Sequence, residues 1–351
     1  MIPVLDAILG QFSEDLGIDL GTANILVAVR GKGIVVREPS IISLNKKTKK
    51  IIAIGSGAKK MLGRTPASIE TVRPLKEGVI SDFDSTAALL SHFVKKIHDR
   101  PGKTISIPRP RMVIGVPSTI SEVERRAVLA AAHEAGGRSV HLVEEPMAAA
   151  IGAGLSVWEP VGNLIVDIGG GTCEIASISL SGIVSGKCLK IGGDSMNRDI
   201  IGYVRSRHGL AIGEATAEEI KIVLGSAYPT AAEKEMIVRG RDLEKGLPKS
   251  IRMTSSQVRE ALTSSVSAIV SAIREVIEDT PPELAADIAE RGIVLCGGGS
   301  QLLGLPKLIS QETKMPVYVA SEPLACVVLG CAKLLEDSEL LKKIQMGVPA
   351  R

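Results

Sequence analysis

The chain has 351 residues, of which 45% are hydrophobic and 2% are aromatic, and its formal net charge is +3. This length exceeds what one hydrophobic core usually supports, so we expect two domains. The near balance of 42 basic and 39 acidic residues, with few aromatic rings, argues against a nucleic-acid partner. No run reaches ~18 uninterrupted apolar residues and no basic signal-peptide region opens the chain, so we expect no membrane-spanning helix and no secretion.

Residues 1–14 form a predicted N-terminal amphipathic segment. Its apolar positions follow the i, i+3, i+4, i+7 spacing of one helix face, and they are Leu5, Ile8, Leu9 and Phe12. Such a face either packs against protein or lies in the plane of a membrane as an anchor. Because no Lys or Arg precedes Arg30, attraction to anionic lipid would be weak.

An Asp-x-Gly turn follows at Asp19, between apolar runs that predict two strands. The turn continues through Gly21, Thr22, Ala23 and Asn24. Glycine lets backbone N–H groups approach phosphate oxygens, the threonine hydroxyl adds a donor, and the aspartate can hold Mg²⁺ through water. A simple hairpin is the alternative interpretation, since Asp and Gly both favour turns.

The next elements alternate between strand and helix. Strands are predicted over residues 34–37, 111–116 and 140–143, and Ser121 with Glu124 matches a helix capping box. Glu144 and Glu145 come where a strand ends, and Pro146 suits the first position of a helix. Beside the positive end of that helix, Glu145 can orient a water against a terminal phosphate, or it can simply stabilise the helix.

The Asp-x-Gly pattern recurs at Asp167, followed by Gly169, Gly170, Gly171 and Thr172. Strands are predicted at 174–180, 183–185, 293–296 and 316–319, and helices at 302–312 and 323–336. A strand hairpin followed by alternating helices and strands predicts an α/β domain with a mixed sheet, and the chain contains this order twice. The duplication favours a pair of phosphate-binding turns over two incidental hairpins.

Weaker signals lie in the second half. Residues 196–260 are predicted to be more helical and charged, with Glu218 and Lys221 on one helix face. The glycine triplet 297–299 can let an adenine and its ribose lie close to the backbone, and Gly192 to Asp194 is a fainter turn. Walker A and Gly-x-Gly-x-x-Gly patterns are absent, which excludes the common P-loop and Rossmann sites. Five cysteines without metal-ligand spacing are predicted to be small buried residues.

This order of motifs resembles the actin superfamily, and the local sequence resembles the MreB family of bacterial actin homologues. The similar stretches are residues 17–24, 143–152, 166–172, 225–229, 280–284 and 290–293, within a similarity that runs from about Asp15 to the C-terminus. The resemblance implies an α/β actin-like fold. Two duplicated ribonuclease-H-like domains with mixed sheets would surround a nucleotide cleft, each with a smaller insert subdomain.

The implied domain division is as follows. Domain I would have a core of residues 15–37, 81–158 and 324–351 and an insert of residues 38–80. Domain II would have a core of residues 159–195 and 261–323 and an insert of residues 196–260.

The resemblance also implies roles for particular residues. Asp19 and Asp167 would organise Mg²⁺, and Glu145, aided by Thr172, would position the attacking water. Phosphates would be held by the turns Gly21 to Asn24 and Gly169 to Thr172. The remaining nucleotide contacts would come from Asp194, Glu218, Lys221, Gly298, Gly299, Ser300 and Gln301. Cys173 and Cys296 stand where relatives usually carry threonine, and we expect this to change packing without loss of activity.

The implied function is an ATP-dependent, filament-forming cytoskeletal protein that binds the inner face of the cell membrane from the cytoplasm and organises wall synthesis in rod-shaped cells. Its partners would be further copies of itself, membrane lipids, and the wall-elongation machinery with its transmembrane adaptor. The alternatives are a metabolic kinase or a chaperone-type ATPase of the same superfamily. A chaperone would need a substrate-binding domain after the core, whereas this chain stops at Arg351.

Overall fold

The structure, a computed structural model, describes residues 13–99 and 109–347. The chain divides into two compact units. Within the described part, the first unit runs up to Val161 and adds Ile178–Val184 and the residues from Leu324 onward, and the second comprises Gly162–Ser177 and Ser185–Pro323. The finer division of each unit into core and insert remains a prediction.

The elements up to Val161 are, in chain order, β1 (Leu16–Leu20), β2 (Asn24–Val29), β3 (Gly33–Pro39), β4 (Ile42–Asn45), β5 (Ile51–Ile54), α1 (Ser56–Met61), β6 (Ile69–Val72), β7 (Leu75–Lys76), β8 (Val79–Ile80), α2 (Phe83–His98), β9 (Arg111–Val116), α3 (Glu122–Glu134), β10 (Ser139–Glu144) and α4 (Glu145–Ala153).

The elements that follow are β11 (Asn163–Ile168), β12 (Cys173–Ser179), β13 (Gly182–Leu189), α5 (Gly193–His208), β14 (Leu210–Ala211), α6 (Glu214–Leu224), β15 (Glu235–Asp242), β16 (Pro248–Thr254), α7 (Ser255–Glu278), α8 (Pro282–Arg291), β17 (Ile293–Cys296), α9 (Leu305–Thr313), β18 (Val317–Val319), α10 (Cys326–Glu336) and α11 (Ser338–Gly347). Short 3₁₀ turns occupy Gly298–Gln301 and Pro323–Ala325.

The main sheets of the two units share one strand order. The first unit has the five-stranded order β10-β9-β1-β2-β3, and the second has β18-β17-β11-β12-β13. In the first sheet β9 runs parallel to β1 and β10, while β2 runs antiparallel to β1 and β3. In the second, β17 runs parallel to β11 and β18. The predicted duplicated α/β arrangement with mixed sheets is thereby confirmed, and the strand before each Asp-x-Gly turn lies at the centre of its sheet.

Each unit has its own hydrophobic core. In the first, the buried Leu16 and Ile18 of β1 pack with residues such as Leu89 of α2. In the second, Val166 of β11 packs with residues such as Ile269 of α7. Within residues 13–99 and 109–347, no helix combines the length and apolar character needed to cross a bilayer.

Helix caps and element boundaries agree with some of the local predictions and differ from others. The Ser121–Glu124 capping box is present at α3. Helix α4 begins at Glu145, so Pro146 is its second residue and not its first. The helix predicted from residue 302 begins at Leu305, because Gly304 at its N-cap adopts a left-handed conformation with φ 76°. The helical prediction for residues 196–260 missed strands β15 and β16.

Candidate functional site

The first Asp-x-Gly turn is held by hydrogen bonds from Ser40 and Gly78. The Ser40 hydroxyl donates to the Gly21 carbonyl at 2.7 Å, and the Ser40 N–H donates to the Ala23 carbonyl at 3.0 Å. The Gly78 N–H donates to the Thr22 hydroxyl oxygen at 2.9 Å, which leaves the hydroxyl its own proton to donate. The turn's conformation is therefore fixed by neighbouring loops, and Asn24, which follows, is exposed.

Asp19 and Glu145 lie at the same end of the first sheet, and Gly115 lies on the strand between β1 and β10. This glycine of β9 is in register with Asp19 of β1 on one side and with Val143 of β10 on the other. A Cβ added to Gly115 would lie 3.5 Å from Glu145 Cγ and 2.7 Å from Val327 Cγ1. The absent side chain therefore makes room for Val327, and Glu145, which is 8% exposed, lies at ordinary contact distance from the same position. Two of the predicted catalytic carboxylates are thus neighbours in the first unit.

Helix α4, which carries Glu145, packs against α10 at two glycines. A Cβ added to Gly152 would collide with the Cys326 carbonyl oxygen, and one added to Gly330 would collide with the Ala148 carbonyl oxygen. Each helix therefore approaches the backbone of the other as closely as heavy atoms allow. This contact fixes the position of α4 and, with it, the position of Glu145.

The five cysteines are all free thiols, and all except Cys188 are buried. Burial raises the pKa of the Cys331 thiol well above its ordinary range, and the carboxylates of Asp19 and Glu145 raise it further. Burial also raises the pKa of Cys173, with Asp167 adding to the rise. At neutral pH these thiols are protonated and behave as small apolar residues.

The second Asp-x-Gly turn rests on the N-terminus of α5. Within the turn, the Gly169 N–H donates to the Thr172 carbonyl at 2.8 Å. From α5, the Gly193 N–H donates to the Gly169 carbonyl at 3.0 Å, and the Asp194 N–H donates to the Gly170 carbonyl at 2.8 Å. The faint turn at Gly192 to Asp194 therefore supports the glycine turn through backbone atoms.

Glu218 and Lys221 of α6 join this assembly. Lys221 Nζ donates to Glu218 Oε2 at 2.7 Å and to the Gly193 carbonyl at 2.9 Å. Asn197 Nδ2 donates to the same Glu218 oxygen at 2.8 Å. A continuous set of hydrogen bonds thus runs from the glycine turn, through α5, to the predicted sugar and base contacts.

Asp167 lies at the end of β11, in register with Cys296 of β17. Burial raises the pKa of Asp167 to about 7, the nearby Glu174 carboxylate adds to the rise, and a hydrogen bond with the Cys296 side chain opposes it. An ionised Asp167 is therefore disfavoured in this environment unless positive charge is added.

The glycine loop after β17 contains the last of the predicted nucleotide contacts in the second unit. The 3₁₀ turn contains Gly298, Gly299, Ser300 and Gln301, and the Ser300 hydroxyl donates to the Gly297 carbonyl at 2.7 Å. Residues 225–229 brace this loop, because the Ala227 N–H donates to the Leu303 carbonyl at 2.7 Å and Lys307 Nζ lies 4.3 Å from the centre of the Tyr228 ring.

The structure therefore gathers the predicted site residues of each unit into one place within that unit. Leu5, Ile8, Leu9 and Phe12 lie outside the described residues. Sequence reasoning missed Gly115 and Asn197. A glycine inside an apolar strand was the available signal for Gly115, whereas nothing local distinguishes Asn197.

Comparison with known proteins gives the following relatives. The family description "MreB/Mbl protein" matches residues 13–343. The cell shape-determining protein Mbl of Bacillus subtilis (strain 168) is 47% identical over 337 residues, covering 96% of this chain and all 100% of that protein. The cell shape-determining protein MreB of Escherichia coli (strain K12) is 50% identical over 331 residues, covering 93% of this chain and 94% of that protein.

Solved structures agree with this relationship. The crystal structure of MreB5 of Spiroplasma citri bound to AMPPNP is 37% identical, with a TM-score of 0.87 over 96% of this chain and 99% of that one. The ADP-bound crystal structure of the same protein also gives a TM-score of 0.87, over 95% of this chain and 98% of that one. The likeness extends across both units and nearly all of the sequence. The chain therefore belongs to the MreB/Mbl family of bacterial actin-like, cell shape-determining proteins.

Proposed function

We propose that this chain is a Mg²⁺-dependent ATPase that assembles into filaments on the inner face of the cell membrane and organises wall synthesis to set rod shape. Family membership favours such a shape protein over the metabolic kinase or chaperone-type ATPase. For nucleotide binding, a further support is the related MreB5 of Spiroplasma citri, which binds AMPPNP and ADP.

One observation carries the nucleotide part of the proposal. In the second unit, hydrogen bonds connect the glycine turn at Gly169 and Gly170 to α5, and α5 to Glu218 and Lys221. A phosphate-binding turn thereby shares one rigid support with a carboxylate able to accept from sugar hydroxyls. Such preorganisation lowers the entropic cost of holding a nucleotide.

Magnesium fits the aspartates at the ends of β1 and β11. Among the residues that the structure describes, no group of three or more His, Cys, Asp or Glu side chains forms a metal site. We propose that each of these aspartates, Asp19 in the first unit and Asp167 in the second, takes part in holding Mg²⁺ through water, the binding mode that this cation prefers. The buried Asp167, with Glu174 nearby, is suited to an added positive charge. When bound, the cation would neutralise phosphate charge.

A pair of adjacent glutamates on α6 tests the nucleotide site. Glu218→Gln is expected to weaken ATP binding by about tenfold, because it removes the charge that organises Lys221 and meets the sugar. The neighbouring Glu219, which is exposed on the same helix, is the matched control, and Glu219→Gln should bind ATP normally. Isothermal titration of the full chain with ATP and Mg²⁺ makes the comparison. Equal affinities in the two variants would remove Glu218 from the site.

We propose that identical subunits assemble into the filament through a head-to-tail contact. A heterologous contact that does not close produces polymer above a threshold protein concentration. With Mg-ATP at micromolar protein, we therefore expect light scattering to rise with concentration and the protein to pellet on centrifugation. The same protein without nucleotide is the control. A monodisperse monomer under both conditions would contradict assembly.

Membrane binding is proposed for the apolar face of residues 1–12, with Ile105 and Ile107 as a second contact; all of these lie outside the described residues. The described residues that flank the two stretches are neighbours. The Arg109 N–H donates to the Ser13 hydroxyl oxygen at 3.0 Å, and the Glu14 N–H donates to His98 Nε2 at 3.0 Å. The described residues next to the two stretches therefore lie close together in the first unit.

Deleting residues 2–12 is expected to abolish co-sedimentation with liposomes while ATP hydrolysis persists. A single short anchor binds weakly, so the loss should be clearest for assembled filaments, where many anchors act together. Leu5→Glu with Ile8→Glu should have the same effect without shortening the chain. If both variants sediment with liposomes as the unaltered protein does, the anchor lies elsewhere and this face packs against protein.

A further inference from the structure

Asn197 of α5 is a buried amide in contact with the proposed sugar-binding carboxylate. We propose that Asn197 is a positioning residue that orients Glu218 towards the ribose and thereby gives the site its preference for ribonucleotides over deoxyribonucleotides. The inference rests on the nucleotide site proposed above. It assigns to that site a residue that no sequence motif identified.

The geometry places Asn197 on the protein side of Glu218. Asn197 is 4% exposed, and its Nδ2 donates to Glu218 Oε2 at 2.8 Å. Lys221 Nζ donates to the same oxygen at 2.7 Å. The Glu218 side chain itself is 40% exposed, against 14% for Lys221. Two donors therefore hold one carboxylate oxygen from within, while the side chain reaches the surface.

The two donors differ in what they can fix. The Lys221 ammonium is a charge on a flexible stem with rotatable donors, so it attracts the carboxylate without setting its plane. The Asn197 amide is planar, buried and on a short side chain, so its donor directions have less freedom than those of the ammonium. A carboxylate accepts hydrogen bonds only, and a ribose hydroxyl can donate one. Orienting this acceptor therefore favours a sugar that carries the hydroxyl.

The cost of this side chain supports a role for its donor. Among the residues that the structure describes, Asn197 Oδ1 is buried without a hydrogen-bond partner. A buried acceptor left unpaired is unfavourable, and an apolar residue of similar size would avoid it. The hydrogen bond that Nδ2 donates to Glu218 therefore offsets the free-energy cost of the unpaired Oδ1.

Asn197 also connects the sugar contact to the phosphate turn. It lies one helical turn after Gly193, whose N–H donates to the Gly169 carbonyl at 3.0 Å. The same short stretch of α5 thus positions both the glycine turn and Glu218. Displacing Asn197 should alter sugar recognition more than phosphate recognition, because the backbone hydrogen bonds of Gly193 do not involve its side chain.

The test compares the full chain's affinities for ATP, 2′-deoxy-ATP and 3′-deoxy-ATP in the presence of Mg²⁺. The unaltered protein is expected to bind ATP more tightly than at least one deoxy analogue. Asn197→Leu should reduce that affinity ratio by about tenfold, mainly by weakening ATP binding, with the deoxy analogue little affected. Ile200→Val, a buried change on the same helix, is the control and should keep the ratio.

Further variants keep the outcome decisive. Asn197→Asp preserves shape but replaces the donor with a second carboxylate, and it decides the question if Asn197→Leu does not fold. Combining Asn197→Leu with Glu218→Gln should lose no more discrimination than either change alone, since both act through one contact. An unchanged ratio in the Asn197 variants, or equal binding of ATP and both analogues by the unaltered protein, would overturn the inference. Failure to bind ATP at all would instead refute the proposed function.

Discussion

Replacing Glu145 with alanine is expected to leave ATP bound and to slow its hydrolysis by about 10²-fold to 10⁴-fold, the usual effect of losing a group that handles a proton or positions water. Glu145 lies at the first position of α4, and its Cγ is 3.5 Å from where a Cβ of Gly115 would lie; Gly115 is in register with Asp19 of β1. Glu145 belongs to neither of the predicted phosphate-binding turns, so ATP binding should persist.

The adjacent carboxylate supplies the control for this experiment. Glu144 is the N-cap of the same helix and makes no side-chain capping hydrogen bond. Because Glu144→Ala leaves the first helical position and its carboxylate in place, this variant should hydrolyse ATP at nearly the normal rate. Phosphate release under single-turnover conditions, with affinity measured separately, distinguishes loss of chemistry from loss of binding. Normal release by Glu145→Ala would remove this residue from the mechanism.

Replacing Gly152 with alanine is expected to lower the free energy of unfolding by more than about 3 kcal/mol, and much of the protein should be recovered unfolded or aggregated. The added methyl group would collide with the Cys326 carbonyl, which is backbone and cannot rotate away. Helices α4 and α10 would have to separate. Since α4 carries Glu145, any folded fraction should also hydrolyse ATP slowly.

The same substitution at another helical glycine gives a matched comparison. Gly202 of α5 is exposed, and nothing lies within 4 Å of the Cβ that it would gain. Gly202→Ala should therefore raise the free energy of unfolding by up to ~1 kcal/mol, because alanine restricts the unfolded chain and favours helix. Thermal unfolding of both variants makes the measurement. Similar stability of the two variants would mean that the α4 and α10 contact is not as close as described.

Local sequence patterns were sufficient to predict the duplicated sheets and the start of a helix near Glu145. The Asp-x-Gly turns are visible because glycine, aspartate and flanking apolar runs are adjacent in sequence. The capping box at Ser121 is visible for the same reason, since its partners are three residues apart. Such signals depend on backbone conformation and survive without knowledge of distant contacts.

The features that were missed depend on contacts between distant residues. Gly115 matters because of Val327 of α10, which only the fold brings next to it. Asn197 matters because of Glu218, which lies on another helix. Strand β15 escaped prediction because charged residues occupy most of its exposed positions, and Val238 is its one fully buried residue among those described. Periodicity cannot reveal a partner that lies elsewhere in the sequence.

The division of the chain also bears on how the protein folds during synthesis. The first unit needs α10, since the Gly17 backbone of β1 abuts Ala332 and Arg111 Nη2 donates to the Leu335 carbonyl at 2.7 Å. These partners are synthesised after all residues of the second unit. The second unit, whose residues end at Pro323, can complete its core earlier. Folding order would then be the reverse of synthesis order, with the unit begun first finishing last and β1 lacking its α10 contact in the meantime.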